Sequence, residues 1–317
     1  MKCKICQSPG SRIIREKLRH GIERKVFYCA KCDYAFLDPQ KKVESKFYTQ
    51  QDYRKAYGPS INKASNNQEI FDMYFPFQKD IINEIKPVLK RSMSALDIGC
   101  SAGHFLQALK PHVGKRVGME LQKDAADFVQ KKFRVNVYQE PIEAAHITEG
   151  PFDLITALQV VEHVEDLGPF LEGIARNLKP GGYFYIEVPN INDILLSGYH
   201  NAAFADFYFR EPHVSYFSIK SLKKVLEKAG FKGTFKTVQR YNIINHLHWQ
   251  LTNSPQGNFA LGNSDPQLVT HPQAPAKAKK ALNTFFRSVN DEYKKILIKH
   301  SIGENVTFLG KKYAKNK

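Results

Sequence analysis

The sequence predicts an α/β protein with a ligand-binding turn at one edge of its sheet, preceded by a small cysteine-held module. Three observations lead there. Ser94-Ala-Leu-Asp97-Ile is a short apolar strand ending in an acid, and Asp97-x-Gly99-x-x-x-Gly103 turns tightly into a helix that opens at His104. Strand, glycine turn and helix N-terminus together bring backbone close to a ligand and offer free N–H groups. Second, Lys115-Arg-Val-Gly-Met-Glu120 is another strand ending in an acid, suited to accept hydrogen bonds from ribose hydroxyls. Third, Cys3-x-x-Cys6 and Cys29-x-x-Cys32 stand as two paired knuckles ahead of all this.

The glycine turn has Ser101 and Ala102 where the dinucleotide fingerprint has its middle glycine, and no Gly-Lys-Ser/Thr follows. The ligand is therefore expected to be a nucleoside held without a pyrophosphate. Asp97–Gly103, Glu120, Phe152-Asp-Leu-Ile-Thr-Ala-Leu-Gln-Val-Val-Glu-His-Val164 and Leu178-Lys-Pro-Gly-Gly-Tyr-Phe-Tyr-Ile-Glu-Val-Pro189 resemble, in order and spacing, the successive motifs of class I S-adenosylmethionine-dependent methyltransferases. The resemblance runs over roughly residues 90–240, with Ser101 replacing the central glycine of many members. It implies a doubly wound, Rossmann-like seven-stranded sheet with S-adenosylmethionine across the carboxyl ends of the strands.

A chain of 317 residues with 42% hydrophobic composition has material for one large domain plus a small one. The expected division is a zinc ribbon over 1–40, a helical linker or N-terminal cap over 41–92, and a methyltransferase domain over 93–317 with a cap insertion at 242–303. No apolar run is long enough to span a membrane, and the start has no signal-peptide stretch, so a cytoplasmic location is expected. The net charge of +16 is uneven. Residues 1–46 carry 12 Lys/Arg against 5 Asp/Glu and residues 241–317 carry 11 against 4, while residues 96–240 balance at 17 each. Basic flanks beside a neutral core fit a phosphorylated small molecule, an anionic glycan, RNA, or merely a solvated surface.

Reduced thiols in paired Cys-x-x-Cys knuckles read as a structural zinc site with Cys3, Cys6, Cys29 and Cys32 as ligands. Between them, Ser11–Lys17 and Arg24–Cys29 form two strands around a His20-Gly21 turn, a ribbon. A closed four-thiolate site has no open position and holds a fold rather than doing chemistry. A ribbon followed by Phe36-Leu-Asp-Pro39 and Phe47-Tyr-Thr-Gln-Gln-Asp-Tyr53 is similar to methyltransferases of deoxysugar nucleotides and surface polysaccharides, more than to the ribosomal RNA enzymes with a shorter, His-containing ribbon.

In that family Asp97, Gly99, Cys100, Ser101 and Gly103 would line the amino-acid end of the cofactor. Glu120 and Leu121 would hold the ribose, Glu140 and Ile142 the adenine, and Gln159 would lie where the fourth strand ends. Methyl transfer to a hydroxyl also needs a base, because a neutral alcohol is a poor nucleophile. His163, after that strand, is one candidate. His213, in Arg210-Glu-Pro-His-Val-Ser-Tyr-Phe-Ser218, is the first choice, because the stretch resembles the His-x-Ser-Tyr-Phe-Ser run of ribbon-bearing sugar methyltransferases. C-methylating members have Tyr-His-Glu-His there, and this chain keeps only the second His. No Asn/Asp-Pro-Pro-aromatic run follows the fourth strand, which argues against methylation of a nucleobase amine.

After a sixth strand, Thr234–Arg240, the stretch Tyr241-Asn-Ile-Ile-Asn-His-Leu-His-Trp249 resembles polysaccharide-locus relatives. Ala278, Leu282, Phe285, Phe286, Val289, Tyr293 and Ile296 mark an amphipathic helix expected to pack on the core, and Asn305–Gly310 supplies a closing strand. The expected function is O-methylation of a sugar nucleotide, glycan or related phosphorylated small molecule. The alternatives are a sugar C-methyltransferase, and an RNA methyltransferase that uses ribbon and basic flanks to hold nucleic acid.

Overall fold

The computed structural model describes residues 1–39 and 66–313. The aromatic run Phe47–Tyr53 and the first part of the expected linker lie outside the described residues. Two sheets organise the rest. The larger has seven strands in the order β10-β11-β8-β7-β4-β5-β6. Its members are β4 (Ser94–Ile98), β5 (Lys115–Met119), β6 (Val137–Tyr138), β7 (Phe152–Leu158), β8 (Leu178–Pro189), β10 (Phe231–Val238) and β11 (Asn305–Lys312). Strands β8, β7, β4, β5 and β6 run parallel, and β11 alone is antiparallel to its neighbours β8 and β10. The seven-stranded expectation holds. The central strands read as near-continuous apolar runs because helices cover both faces.

Those helices follow the sequence periods. α3 (His104–Leu109) buries Phe105, Leu106 and Leu109, and α4 (Lys123–Phe133) buries Ala125, Ala126 and Val129. α5 (Leu167–Asn177) starts where Asp166 accepts the N–H of Gly168, and buries Phe170, Leu171 and Ile174. Ahead of the sheet, α1 (Asn67–Tyr74) places Ile70 and Phe71 against Ala102 of the glycine turn. α2 (Gln78–Ile85) packs Ile81, Ile82 and Ile85 against Phe105, Leu109 and Leu154.

The smaller sheet has four strands and carries the paired cysteines where the ribbon was expected. β1 (Arg12–Lys17) and β2 (Glu23–Cys29) are the antiparallel pair that the sequence predicts, and β3 (Tyr34–Leu37) extends them into a meander. Its fourth strand, β9 (Ser215–Tyr216), comes from the segment after α6 (Ile194–Ser197) and α7 (Ala202–Tyr208), far along the chain. The cysteine-bearing sheet is thus built into the main body: Cys3, Cys29, Cys32, Tyr34 and Phe36 share one apolar cluster with Phe184, Phe217 and Leu222.

α8 (Ile219–Lys228) begins in a capping box between Ser218 and Ser221 and leads into β10. Between β10 and β11 stand α9 (Ile243–Thr252), α10 (Phe259–Asn263) and α11 (Ala276–Lys299). Trp249 of α9 packs with Phe204 and Tyr208 beside the ribbon's Leu18 and Val26. Phe259 of α10 meets Tyr74 at 4.9 Å and Phe77 at 5.3 Å. The expected core packing of α11 is corrected here. Only Asn290 and Leu297 are fully buried, while Leu282, Phe285 and Ile296 are exposed. A helix joined to the body mainly along one narrow seam cannot cover a wide apolar stripe. Among the described residues no helix is long and apolar enough to cross a membrane.

Candidate functional site

The carboxyl ends of β4, β5 and β7 converge on the glycine turn. Gly99 has φ +71°, and a methyl group there would lie 2.5 Å from Val160 Cγ2, so chain direction and space both require glycine. Gly103, at φ +79°, caps the N-terminus of α3 and touches Val129 in the same way. Ser101 sits between them, also at positive φ. Across the turn, Glu120 Oε2 accepts the backbone N–H of Ser101 at 2.9 Å and Oε1 accepts that of Gln122 at 2.9 Å. One carboxylate therefore fixes the turn and the start of α4 together. It is only half-buried beside the turn, and a carboxylate is of the type that accepts from ribose hydroxyls, so the residues fit a nucleoside.

Other expected cofactor residues divide into two sets. Gln159, Leu121 and Glu140 are exposed along this carboxyl edge. Gln159 holds φ +55° and donates from Nε2 to Asn305 of β11. Asp97, Cys100 and Ile142 are buried instead. Asp97 Oδ1 accepts the Thr156 hydroxyl at 2.6 Å across the β4–β7 ladder, and burial raises its carboxyl to about 7 against the opposing effect of that hydroxyl. Cys100 packs with Leu106 and Val129, and burial pushes its thiol well up. Ile142 belongs to the main apolar core. These three side chains hold the shape of the turn and the strand ends from behind. Thr156 was not singled out from the sequence; only strand register places it opposite Asp97.

Next to this edge, the two candidate histidines meet. Their rings are 4.8 Å apart and nearly perpendicular, with Glu162 between them: its Oε1 lies 4.0 Å from His163 Nε2 and 3.9 Å from His213 Nε2. His163 Nδ1 lies 2.8 Å from the Pro212 carbonyl. That oxygen can only accept, so Nδ1 carries the proton and Nε2 the lone pair. Burial holds His163 near 3, with Arg210 adding to the effect, so the ring is neutral at pH 7. His213 is fully buried, and its Nε2 accepts the Nε–H of Arg210 at 2.8 Å and lies 2.6 Å from Nη2. Its lone pair is thus engaged, and burial holds the ring well below the usual imidazole range, with Arg210 adding to the effect.

Glu162 is buried, and neither of its carboxyl oxygens has a hydrogen-bond partner among the described residues. Burial raises it to about 8, so it is largely a neutral acid at pH 7. Glu162, His163 and His213 form a group of metal-ligand type, yet the Arg210 guanidinium already brings positive charge to it. Arg210 is the residue that sequence reasoning undervalued. It stands three positions before His213 across a proline, a local spacing that lets the fork reach back.

The sulfurs of Cys3, Cys6, Cys29 and Cys32 lie within 4.8 Å of one another, and none is in a disulfide. Cys6 Sγ to Cys29 Sγ is 3.8 Å, close to the edge of about 3.8 Å expected for a tetrahedron with Zn–S bonds of about 2.3 Å. The four thiols fit zinc. The burial of Cys3 and Cys32 raises both thiols, a cost that binding a cation would reverse.

Comparison with known proteins agrees with this architecture. The structure resembles that of a SAM-dependent methyltransferase from Archaeoglobus fulgidus, with TM-score 0.50, 20% identity, and coverage of 77% of this chain and 97% of that one. It also resembles a complex between the Haloferax volcanii Trm112 methyltransferase activator and a methyltransferase, with TM-score 0.52, 14% identity, and coverage of 84% and 99%. Among curated sequences, ubiquinone biosynthesis O-methyltransferase of Coxiella burnetii is 28% identical over 102 residues, or 31% of this chain and 44% of that protein. The match thus spans less than half of that relative's length. The human mitochondrial protein of that name is 24% identical over 281 residues, covering 78% of this chain and 74% of its own. A family model described as a methyltransferase domain matches residues 71–234, more than half of the chain. The chain belongs to the methyltransferase-domain family, whose fold takes S-adenosylmethionine as its cofactor.

Proposed function

We propose that the chain transfers the methyl group of S-adenosylmethionine to a hydroxyl of a sugar nucleotide, glycan or related phosphorylated small molecule. One observation carries the oxygen chemistry: a neutral histidine of fixed tautomer, His163, stands beside Glu162 and His213 at the strand edge where the glycine turn opens. Removal of the acceptor proton is what an alcohol needs, and Nε2 of His163 has its lone pair in the right form to take it. The buried Glu162 carboxyl, 4.0 Å from that nitrogen, keeps its own proton and turns its dipole to the imidazolium that forms. His213 is the brace rather than the base, because Arg210 engages its Nε2. This reverses the order that the sequence motif suggested. The S-adenosylmethionine held at Gly99–Gly103 and Glu120 would supply the electrophilic methyl, and positioning does the rest.

The sugar or glycan class rests on the ribbon and on the 210–218 resemblance. The basic flanks support an anionic acceptor, and the two ubiquinone biosynthesis proteins named above are O-methyltransferases. The four cysteines are proposed to hold one structural zinc. Tritiated S-adenosylmethionine, incubated with cell extract fractionated into nucleic acid, glycan and nucleotide-sugar pools, tests the assignment. Label in the last two supports it, and label confined to nucleic acid refutes it.

A further inference from the structure

The ribbon and the histidine loop are one hydrogen-bonded sheet, and its connections run in a continuous line. The Cys29–Cys32 knuckle leads directly into Asp33 and Tyr34. There β3 pairs with β9, with Ala35 opposite Tyr216 and Phe36 opposite Ser215. Tyr34 Oη lies 2.6 Å from Ser215 Oγ in a fully buried contact, and its ring meets Phe217 at 5.4 Å. The Asp33 carbonyl accepts the Ser218 hydroxyl at 2.7 Å, and the Leu37 N–H donates to Val214 at 3.2 Å. From β9 the line continues to the site. The Tyr216 hydroxyl accepts the Arg210 N–H at 2.9 Å and donates to the Arg210 carbonyl at 3.1 Å. Arg210 then grips His213, and the neighbouring Pro212 carbonyl sets the tautomer of His163.

We propose that the cysteine-held strand β3 positions the loop 209–218 that braces the proton acceptor, with Tyr34 and Tyr216 as positioning residues that set Arg210, His213 and His163. The proposal rests on the methyl-transfer reading above and adds a dependence to it. The loop 209–218 is short of regular structure of its own, since β9 is only two residues long. A two-residue strand has almost no intrinsic stability, so its geometry is borrowed from the strand it pairs with. That strand emerges from the knuckle, which a bound metal would lock. The cofactor turn draws its hydrogen bonds from β5, Glu120 and α3 instead. Loss of metal should therefore disable proton removal while cofactor binding survives.

Two arms test this on the full chain. In the first, a mercurial reagent releases the metal, and amide hydrogen exchange is followed with S-adenosylmethionine affinity. Exchange in 209–218 should rise by about tenfold or more, exchange in 97–103 should stay unchanged, and affinity should stay within about twofold. Exchange that rises equally in both segments, or in neither, overturns the proposal. In the second arm, Tyr34→Phe and Tyr216→Phe keep both rings and all four cysteines. Each should lower kcat by about tenfold or more at unchanged cofactor affinity and metal content, and should shift the imidazole nitrogen resonances of His163 and His213. Normal kcat with unmoved resonances overturns it as well. If the wild-type chain methylates none of the fractionated pools while the exchange response is as expected, the acceptor assignment fails and the positioning role stands.

Discussion

Replacing Glu120 separates its two tasks. In the folded protein its carboxylate accepts the Ser101 and Gln122 N–H groups at 2.9 Å each. Both bonds are charge-assisted, a class worth about 1.5–3 kcal/mol each when shielded. Glu120 is half-buried, and water replaces part of what an alanine removes. The expected loss of stability for Glu120→Ala is therefore about 1–3 kcal/mol in total rather than the sum of two shielded bonds. Cofactor affinity should fall by a similar amount, because the turn loses its anchor and the ribose its acceptor. That corresponds to a Kd raised about 5- to 150-fold. Glu120→Gln should fall between wild type and alanine: its one carbonyl oxygen satisfies one N–H, while its amide group points a donor at the other. Isothermal titration with S-adenosylmethionine and urea denaturation measure the two effects independently. Equal affinity in all three proteins would refute the placement of the ribose, even if stability fell as expected.

Elemental analysis of freshly reduced protein should find one zinc per chain, and Cys32→Ser should lose it; metal-free wild type would end the ribbon reading. His163→Ala should lower kcat by about 10²–10⁴ at unchanged cofactor affinity, with the residual rate rising at high pH as hydroxide replaces the base. Near-full turnover in that variant would return the role to His213. Burial lifts Asp97 to about 7, so the folded state holds more protons than the unfolded state between about pH 4 and pH 7. Stability from this group should decline across that window and stay low above it. Asp97→Asn should flatten the profile in urea melts at pH 5 and pH 8, and a variant with the same slope as wild type would sink the argument.

Local chemistry made much of this protein legible before any fold was known. Asp97, Gly99, Gly103 and Glu120 could be read because a tight strand-to-helix turn demands particular residues at short spacing, and contiguous sequence records that demand. The four cysteines were legible for the same reason: a knuckle is a local loop with fixed ligand spacing. The seven-stranded sheet that the family resemblance implied also agreed. What failed was local inference about long-range neighbours. The apolar stripe of α11 gave its helix, but not the width of the surface that it meets, so Leu282, Phe285 and Ile296 stay exposed.

The active-site geometry is decided at a distance. His163 and His213 are both visible in sequence, yet the tautomer of the first and the partner of the second depend on the Pro212 carbonyl and on Arg210, which are brought together by a loop crossing from α7 to α8. Thr156 faces Asp97 through the register of two parallel strands, and β9 joins a ribbon nearly 180 residues earlier, as the 181-residue separation of Tyr34 and Ser215 shows. By itself the sequence determined the main elements, the glycine turn and the gathering of four cysteines, because backbone conformation and knuckle spacing are short-range properties. Only the tertiary structure decided protonation, tautomer and the union of the cysteine-bearing sheet with the His213 loop, because burial and hydrogen-bond partners come from residues that the chain order does not place side by side.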